Sequence, residues 1–370
     1  MRIAVLTSSR ADYGIYMPLL RRIEADPFFS LEIIAFGTHL SKGHGYTLDK
    51  IEQDNYSTIH KVSSLVSNDD EQGIATSYGL TVLKFADFWK SHVYDLVLCL
   101  GDRFEMSAAV QAGIPYNIKF AHIHGGETTL GAIDNIYRHQ ISLASKIHFT
   151  ATEEFSKKVG YLLGTTDCIH TVGSLSLDSI ETFKPIDKGI FLEKFGIVDT
   201  EFALATFHPE TVNIDLNIHF AKEMRRALAS ISKNIFVVIT MPNADTMGSI
   251  YREQIYALRE QYPDKILCIE NFGKDNYFNA MYHAKIMIGN TSSGIIEAAS
   301  FGKYVVNIGE RQKGRVQSGN VIESTFSEEK IVRASQKAIT LGEFKGENIY
   351  YRENTVDLVI DKLKKYYETI

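Results

Sequence analysis

Apolar residues along this chain fall in short runs that end abruptly in polar, often charged, segments. Ile3-Ala-Val-Leu6 is the first such run, and it stops at the polar loop Thr7-Ser-Ser-Arg-Ala-Asp-Tyr-Gly14. From Ile15 to Ala25 the apolar positions recur at helical spacing, and Leu31-Glu-Ile-Ile-Ala-Phe36 is again a strand-like run. This β-loop-α-β order predicts a parallel sheet with helices on its faces. A largely polar region follows through Asn68, with His39 and His44 near the strand end. Glu71 to Lys90 predicts a helix, and Leu96-Val-Leu-Cys-Leu100 a central buried strand. The strand beginning at Phe120 ends in His-Gly-Gly-Glu127; a Gly-containing loop and a helix from about Asp134 come next. Lys146–Thr150 and Ile169–Val172 are the last strands of this half.

A second series repeats the pattern without clear sequence repetition. Residues 183–200 carry Pro185, Gly189 and mixed charge, and read as a linker and the entry to the second domain. Strand-like runs then recur at Ala203–Phe207, Ile235–Thr240, Ile266–Ile269, Ala284–Ile288 and Tyr304–Ile308. Asn354 to Tyr367 is amphipathic and Lys-rich, a helix with one packed and one solvated face. The expected organisation is an N-terminal Rossmann-like domain over 1–182, a second over 183–353 and a terminal helix over 354–370. A cleft between the domains would collect strand-end loops from both, and pockets favour such interfaces.

Composition narrows the functional classes. At 370 residues the chain is long enough for about two domains. A hydrophobic share of 45%, a charged share of 23% and a net charge of −6 are those of a soluble globular protein with no general affinity for nucleic acid or anionic membrane. Any anion site must be local. Cys99, Cys168 and Cys268 are scattered and read as reduced thiols of a cytoplasmic protein. The chain enters a strand at once, leaving no room for a signal peptide, and no apolar run is long enough to span a bilayer.

Candidate chemistry sits where strands stop. Ile286-Met-Ile-Gly-Asn-Thr-Ser-Ser-Gly-Ile-Ile-Glu297 reads as a buried strand, a tight polar turn and the first turn of a helix. Thr291, Ser292 and Ser293 offer hydroxyls beside the free N–H groups of a helix start, a natural anion site, with Gly294 allowing close backbone approach. Glu297 follows at a spacing suited to two vicinal hydroxyls. The plain alternative is an ordinary strand-to-helix turn with a Ser N-cap. Arg10 lies in the first strand-end loop. Asp102 and Arg103 end the central strand, where a charged pair is costly without a task or a partner; pairing with each other, or capping the helix that follows, is the alternative. Glu127, Asp134, Arg138 and His139 cluster at one loop and helix start. His122 and His124 alternate on a strand, so both point to one face, as a metal pair or as a hydrogen-bonded pair. Gly309-Glu-Arg-Gln-Lys-Gly-Arg315 is a basic loop in the second series.

Six of these segments occur in an order that resembles a known family. Ser9–Gly14, Gly101–Arg103, His122–Glu127, Phe207–Thr211, Gly289–Gly294 and Arg311–Arg315 together look like the hydrolysing UDP-N-acetylglucosamine 2-epimerases of bacterial sialic-acid and related nonulosonate synthesis. The His-Gly-Gly-Glu form favours this branch over the non-hydrolysing one. The resemblance implies an α/β, GT-B-like fold of two Rossmann-like domains facing across a cleft, with UDP held mainly by the second. It implies that Thr291, Ser292, Ser293, Gly294 and Arg315 meet the phosphates and Glu297 the ribose. Arg10, Arg103, His139, His208 and Asn243 complete the substrate-binding set. Asp102, Glu127 and Asp134 match the catalytic carboxylates, and the two glycines before Glu127 leave room for a sugar ring. The loop Ser41–His44 departs from the family's tyrosine-containing pattern, so His39 is left outside the set. No cofactor and no metal are implied, and the expected assembly is a homodimer or homotetramer.

The implied reaction explains the residue types. UDP leaves C1 and a proton leaves C2 from opposite ring faces, giving a glycal; water then adds at C1 and a proton returns to C2 from the other face. One base cannot serve both faces, so at least two acid/base groups are needed, one kept protonated. Relatives differ in substrate: UDP-GlcNAc, or a UDP- or GDP-linked diacetamido-trideoxyhexose of the bacillosamine type. A GT-B glycosyltransferase would share the diphosphate site but leave three carboxylates surplus. A non-catalytic nucleotide-sugar sensor would bind UDP yet exchange no proton at C2.

Overall fold

The computed structural model describes residues 1–41, 46–66, 68, 70–130, 133–178, 180, 182–198, 201–210, 214–242 and 247–369. Asn243, Thr211 and His44 lie outside the described residues. The chain divides into two compact units: Met1–Glu127, Asp134–Ser179 and Tyr350–Ile370 form the first, and Thr128–Ile133 with Ile180–Ile349 the second.

In the first unit, β1 (Arg2–Thr7) leads into α1 (Arg10–Glu24). That helix starts at Arg10, ahead of the apolar stripe that predicted Ile15. The reason is capping. Ser9 Oγ accepts from the Asp12 N–H at 3.3 Å, and the Asp12 carboxylate accepts from the Ser8 N–H and Oγ at 3.0 and 2.6 Å. Arg10 is therefore the exposed first residue of a helix and not part of an open loop. After β2 (Ser30–Phe36), the span expected to be largely polar contains α2 (Leu48–Gln53) and β3 (Ile59–Val62), a four-residue half-exposed strand too short to show a period. The order continues with α3 (Glu71–Ser91), β4 (Leu96–Leu100), α4 (Phe104–Gly113), β5 (Phe120–Ile123), α5 (Asp134–Ala144), β6 (Ser145–Thr150), α6 (Glu153–Leu163) and β7 (Ile169–Thr171). α6 shows the local logic well: Thr152 caps its start by accepting from the Phe155 N–H, Glu153 and Glu154 complement the positive end, and Gly164 closes it in the left-handed conformation.

All seven strands are parallel, in the order β3-β2-β1-β4-β5-β6-β7. Both faces are covered. Ile3 and Val5 pack with Tyr16, Leu19 and Leu20 of α1, while Ala4 and Leu6 pack with Phe85, Phe88 and Trp89 of α3. Each such Leu or Phe contributes roughly 1.5–3 kcal/mol by leaving water, as an upper estimate.

The second unit begins with α7 (Lys188–Phe195). The expected linker is thus corrected: Phe191 and Leu192 are buried in this unit's core, because a capped helix between Asp187 and Gly196 turns them inward. Then come β8 (Phe202–Thr206), α8 (Asn217–Ile231), β9 (Phe236–Thr240), α9 (Gly248–Gln261), β10 (Ile266–Ile269), α10 (Lys274–His283), β11 (Ile286–Gly289), α11 (Ser292–Ile296), β12 (Val305–Ile308), β13 (Val321–Ser324) and α12 (Glu328–Leu341). Its six strands are also parallel, in the order β10-β9-β8-β11-β12-β13. The terminal helix, α13 (Thr355–Tyr367), returns to the first unit and buries Val356, Val359, Ile360 and Leu363 in the core that holds α1. Among the described residues no helix is long and apolar enough to cross a membrane.

Both sheets reverse their winding once: between β1 and β4, and between β8 and β11. In open α/β sheets ligands bind outside the carboxyl ends of the strands at such switch points. The motif-bearing loops lie at these ends.

Candidate active site

The first unit gathers its polar groups beyond β1, β4 and β5. Gly37 has φ +59°, and a Cβ there would stand 2.6 Å from the Ser8 carbonyl oxygen. That close approach lets Thr38 donate twice to Ser8 O, at 2.8 and 3.0 Å. His39, fully buried, bonds Thr7 Oγ1 at 2.9 Å and Thr47 Oγ1 at 2.8 Å. Burial pushes its pKa down to about 4, partly offset by the Asp12 charge.

This shift has a sign that can be tested. The unfolded histidine takes a proton near pH 6.5 and the folded one only near 4. Between those values the unfolded state holds more protons, so stability is full above pH 6.5 and falls as pH drops towards 4, by about 3 kcal/mol for this group. Chemical denaturation across pH 7 to 4 should show this slope, and the His39→Gln variant should show a shallower one. An unchanged slope would mean His39 is not held neutral.

Asp102 follows Gly101, which has φ +76° at the end of β4. Its carboxylate pairs with Arg138, and Arg138 Nη1 also donates to the Glu127 carbonyl oxygen at 2.7 Å. Arg103, expected to face substrate or Asp102, forks onto the buried Glu105 at 2.9 and 3.2 Å. Glu127 is 2% exposed, with His124 Nδ1 at 3.2 Å from its carboxylate. Asp134, the half-buried first residue of α5, lies one turn ahead of Arg138; His139 is exposed on the same helix.

The histidine pair does not share a face. β5 ends at Ile123, and His124 adopts φ +65°, which breaks the alternation. His122 Nε2 donates to the Gly101 carbonyl at 2.9 Å, so its Nδ1 accepts from Ser142 Oγ at 2.9 Å. Burial pushes its pKa down to about 3, and neither ring nitrogen is open to a metal ion. Among the described residues no three His, Cys, Asp or Glu side chains gather as a metal site. The glycines before Glu127 also have a different reason from the one expected. A Cβ at Gly125 would stand 3.0 Å from His122 Nδ1, and one at Gly126 would stand 2.3 Å from the Phe155 carbonyl oxygen. The space they leave is filled by the protein itself.

The second unit builds its site on β8, β11 and β12. Gly289 has φ +141°, and a Cβ there would stand 1.8 Å from the Thr206 carbonyl oxygen, so only glycine permits this strand end. Asn290 then clamps the neighbouring loop: its Oδ1 accepts from the His208 N–H at 2.7 Å and its Nδ2 donates to His208 O at 2.8 Å. Gln312 Nε2 donates to Asn290 O at 2.8 Å, Glu210 accepts from the Glu310 N–H at 2.6 Å, and Arg311 donates to Pro209 O at 2.7 Å. Three loops far apart in the chain thus form one polar surface carrying His208 and Arg315.

Thr291 is the N-cap of α11, in extended conformation, with Ser292 and Ser293 as its first residues and all three half-buried. Gly294 lets the turn sit on Val305, whose Cγ1 would be 2.8 Å from a Cβ. Glu297 closes the turn and is buried. The expected helix start is a single short turn, Ser292–Ile296, followed by a 3-10 segment. A turn this short offers N–H groups and hydroxyls at its start more than a long helix dipole.

The sequence reading did not assign four residues that hold these sites together: Arg138, Asn290, Glu210 and Tyr277. Arg138 stood in a noted cluster, and Asn290 and Glu210 stood inside quoted motifs. Tyr277 carried no signal. Its hydroxyl lies near Thr206 and Ser293, and burial pushes its pKa up to about 12, with the Glu297 charge adding to the rise.

Comparison with known proteins agrees with the resemblance. Residues 21–364 match the family described as UDP-N-acetylglucosamine 2-epimerase. The chain is 33% identical over 98% of its length, and 95% of the relative's, to the UDP-N,N'-diacetylbacillosamine 2-epimerase (hydrolyzing) of Legionella pneumophila. It is 30% identical over 99% of its length, and 94% of the relative's, to the polysialic acid biosynthesis protein P7 of Escherichia coli. In fold it is similar to the crystal structure of a UDP-GlcNAc 2-epimerase from Neisseria meningitidis bound to UDP-GlcNAc, with a TM-score of 0.81, 16% identity, and 99% and 100% of the two chains covered.

Proposed function

The chain belongs to the UDP-N-acetylglucosamine 2-epimerase family, and from that premise we propose that it is a hydrolysing 2-epimerase converting UDP-GlcNAc to free ManNAc and UDP for sialic or related nonulosonic acid synthesis. The observation that carries this reading is the buried Arg138 holding Asp102 and the Glu127 backbone together, with Asp134 one turn away on the same helix. Of the three carboxylates of this unit, two then supply acid and base to the faces of C2. Glu127 and Asp134 exchange the C2 proton, and Asp102 orients. UDP departs from C1 as the C2 proton leaves; water adds to the glycal, and reprotonation from the opposite face inverts C2.

The nucleotide is assigned to the second unit: Thr291, Ser292, Ser293, Gly294 and Arg315 to the diphosphate, Glu297 to the ribose, and His208 and Asn243 beside them. Arg10, Arg103 and His139 of the first unit are assigned to substrate binding. The leaving diphosphate gains its stabilisation from these N–H groups and cations. No hydride moves, so no nicotinamide is needed. The proposed setting is the cytoplasm, as a homodimer or homotetramer.

A second substrate reading, UDP-N,N'-diacetylbacillosamine, is favoured by the 33% identical relative whose name carries that sugar. Incubation with each nucleotide sugar in D₂O, followed by NMR, tests both. Release of UDP and a free C2 epimer bearing deuterium is expected from one of them; UDP binding without C2 deuterium would leave only a sensor. Arg315→Ala should weaken UDP binding about 10- to 100-fold, the worth of a charge-assisted contact. An unchanged calorimetric Kd would remove Arg315 from the diphosphate site.

A further inference from the structure

The geometry points to Arg138 as the positioning residue of the first unit's carboxylates, an inference that rests on the epimerase reading of that site. Arg138 is 1% exposed. One amino group of its guanidinium pairs with Asp102, beyond β4, and the other donates at 2.7 Å to the Glu127 carbonyl, beyond β5. A buried cation is costly unless paired and hydrogen-bonded, and here two of its bonds go to the neighbours of the proposed chemistry. A planar fork meets both acceptors in fixed geometry, where the shorter, rotatable donors of a lysine would hold them less firmly. The same face of α5 carries Ser142, which fixes His122, which in turn donates to Gly101 O beside Asp102. α5 therefore holds both turns from one side and presents Asp134 at its own first residue.

Two consequences follow for the reaction. Asp102 spends an oxygen on Arg138, so it orients and balances charge and does not carry the C2 proton. Glu127 has its backbone pinned, so its carboxylate swings about a fixed pivot. Arg138 touches no reacting atom and acts through both residues.

The test is a mutant cycle on the full chain. Arg138→Met should lower kcat about 10²-fold, the scale of a misplaced acid or base, with KM for the nucleotide sugar nearly unchanged. Arg138→Lys should recover part of that loss. In the Asp102→Asn background, Arg138→Met should cost clearly less than in the parent, with the remaining loss coming from the Glu127 contact, because linked residues are not additive. Full multiplication of the two effects, or a rise in KM at unchanged kcat, would overturn the role. Circular dichroism and a denaturation midpoint check that each variant is folded; if the methionine variant is not, Arg138→Lys carries the cycle. A readout independent of turnover separates this inference from the epimerase reading. Arg138 Nη signals in ¹⁵N NMR should show slowed rotation in the parent and lose it in Asp102→Asn. Turnover of neither nucleotide sugar would end the epimerase reading alone, whereas freely rotating Nη groups in the parent would end the bracket.

Discussion

Glu127→Gln should lower the rate of 2-epimerisation by about 10²–10⁴, the usual cost of losing a positioned acid or base. UDP binding should stay within a few-fold of the parent. Glutamine keeps the size and the planar end of the side chain, and it removes the ability to take and return a proton. The surroundings make this a clean experiment. Glu127 is almost fully buried, Arg138 holds its carbonyl, and Gly126 before it is pressed against the Phe155 carbonyl at φ +78°. The backbone therefore has little freedom to compensate. The measurement is UDP release and C2 deuterium incorporation under saturating substrate. A variant keeping more than a tenth of parent activity would show that Glu127 does not carry the C2 proton.

Gly289→Ala should destabilise the second unit by more than about 3 kcal/mol, adding backbone strain to a steric clash. The added methyl would stand 1.8 Å from the Thr206 carbonyl oxygen, and the residue sits at φ +141°, which an L side chain rarely adopts. The obstacle is backbone, so no side chain can swing aside. Relief requires β11 to part from β8, and β11 leads directly into Asn290 and the turn at Ser292. UDP affinity should fall with stability for that reason. Gly79→Ala is the control: it lies within α3, and its Cβ would meet nothing within 4 Å. Helix propensity there favours alanine by up to about 1 kcal/mol. Denaturation midpoints of the two variants make the comparison. A Gly289→Ala protein within about 1 kcal/mol of the parent would mean that the strand pair can open at little cost.

The division between sequence and structure follows from the range of the forces involved. Strand and helix positions were readable because hydrophobic periodicity is local: β4 and β10 match their apolar runs residue for residue, and α5 begins at Asp134 as its pattern implied. The motif loops were readable too, because a charged group straight after a buried strand calls for a partner. Nothing local reveals that partner. Arg138 meets Asp102 across 36 positions, and Asn290 meets His208 across 82. Those pairs exist because β4 lies beside β5 and β8 beside β11, an order decided by how the crossovers wind and pack. The same limit hid α7, read as a linker until Phe191 found a core to enter, and the brevity of α11, whose length is set by the close seat of Gly294 on Val305. Composition and spacing by themselves determined two parallel-sheet units with polar groups at their strand ends. Which of those groups touch, and so which can share a proton or a charge, was decided only when distant strands became neighbours.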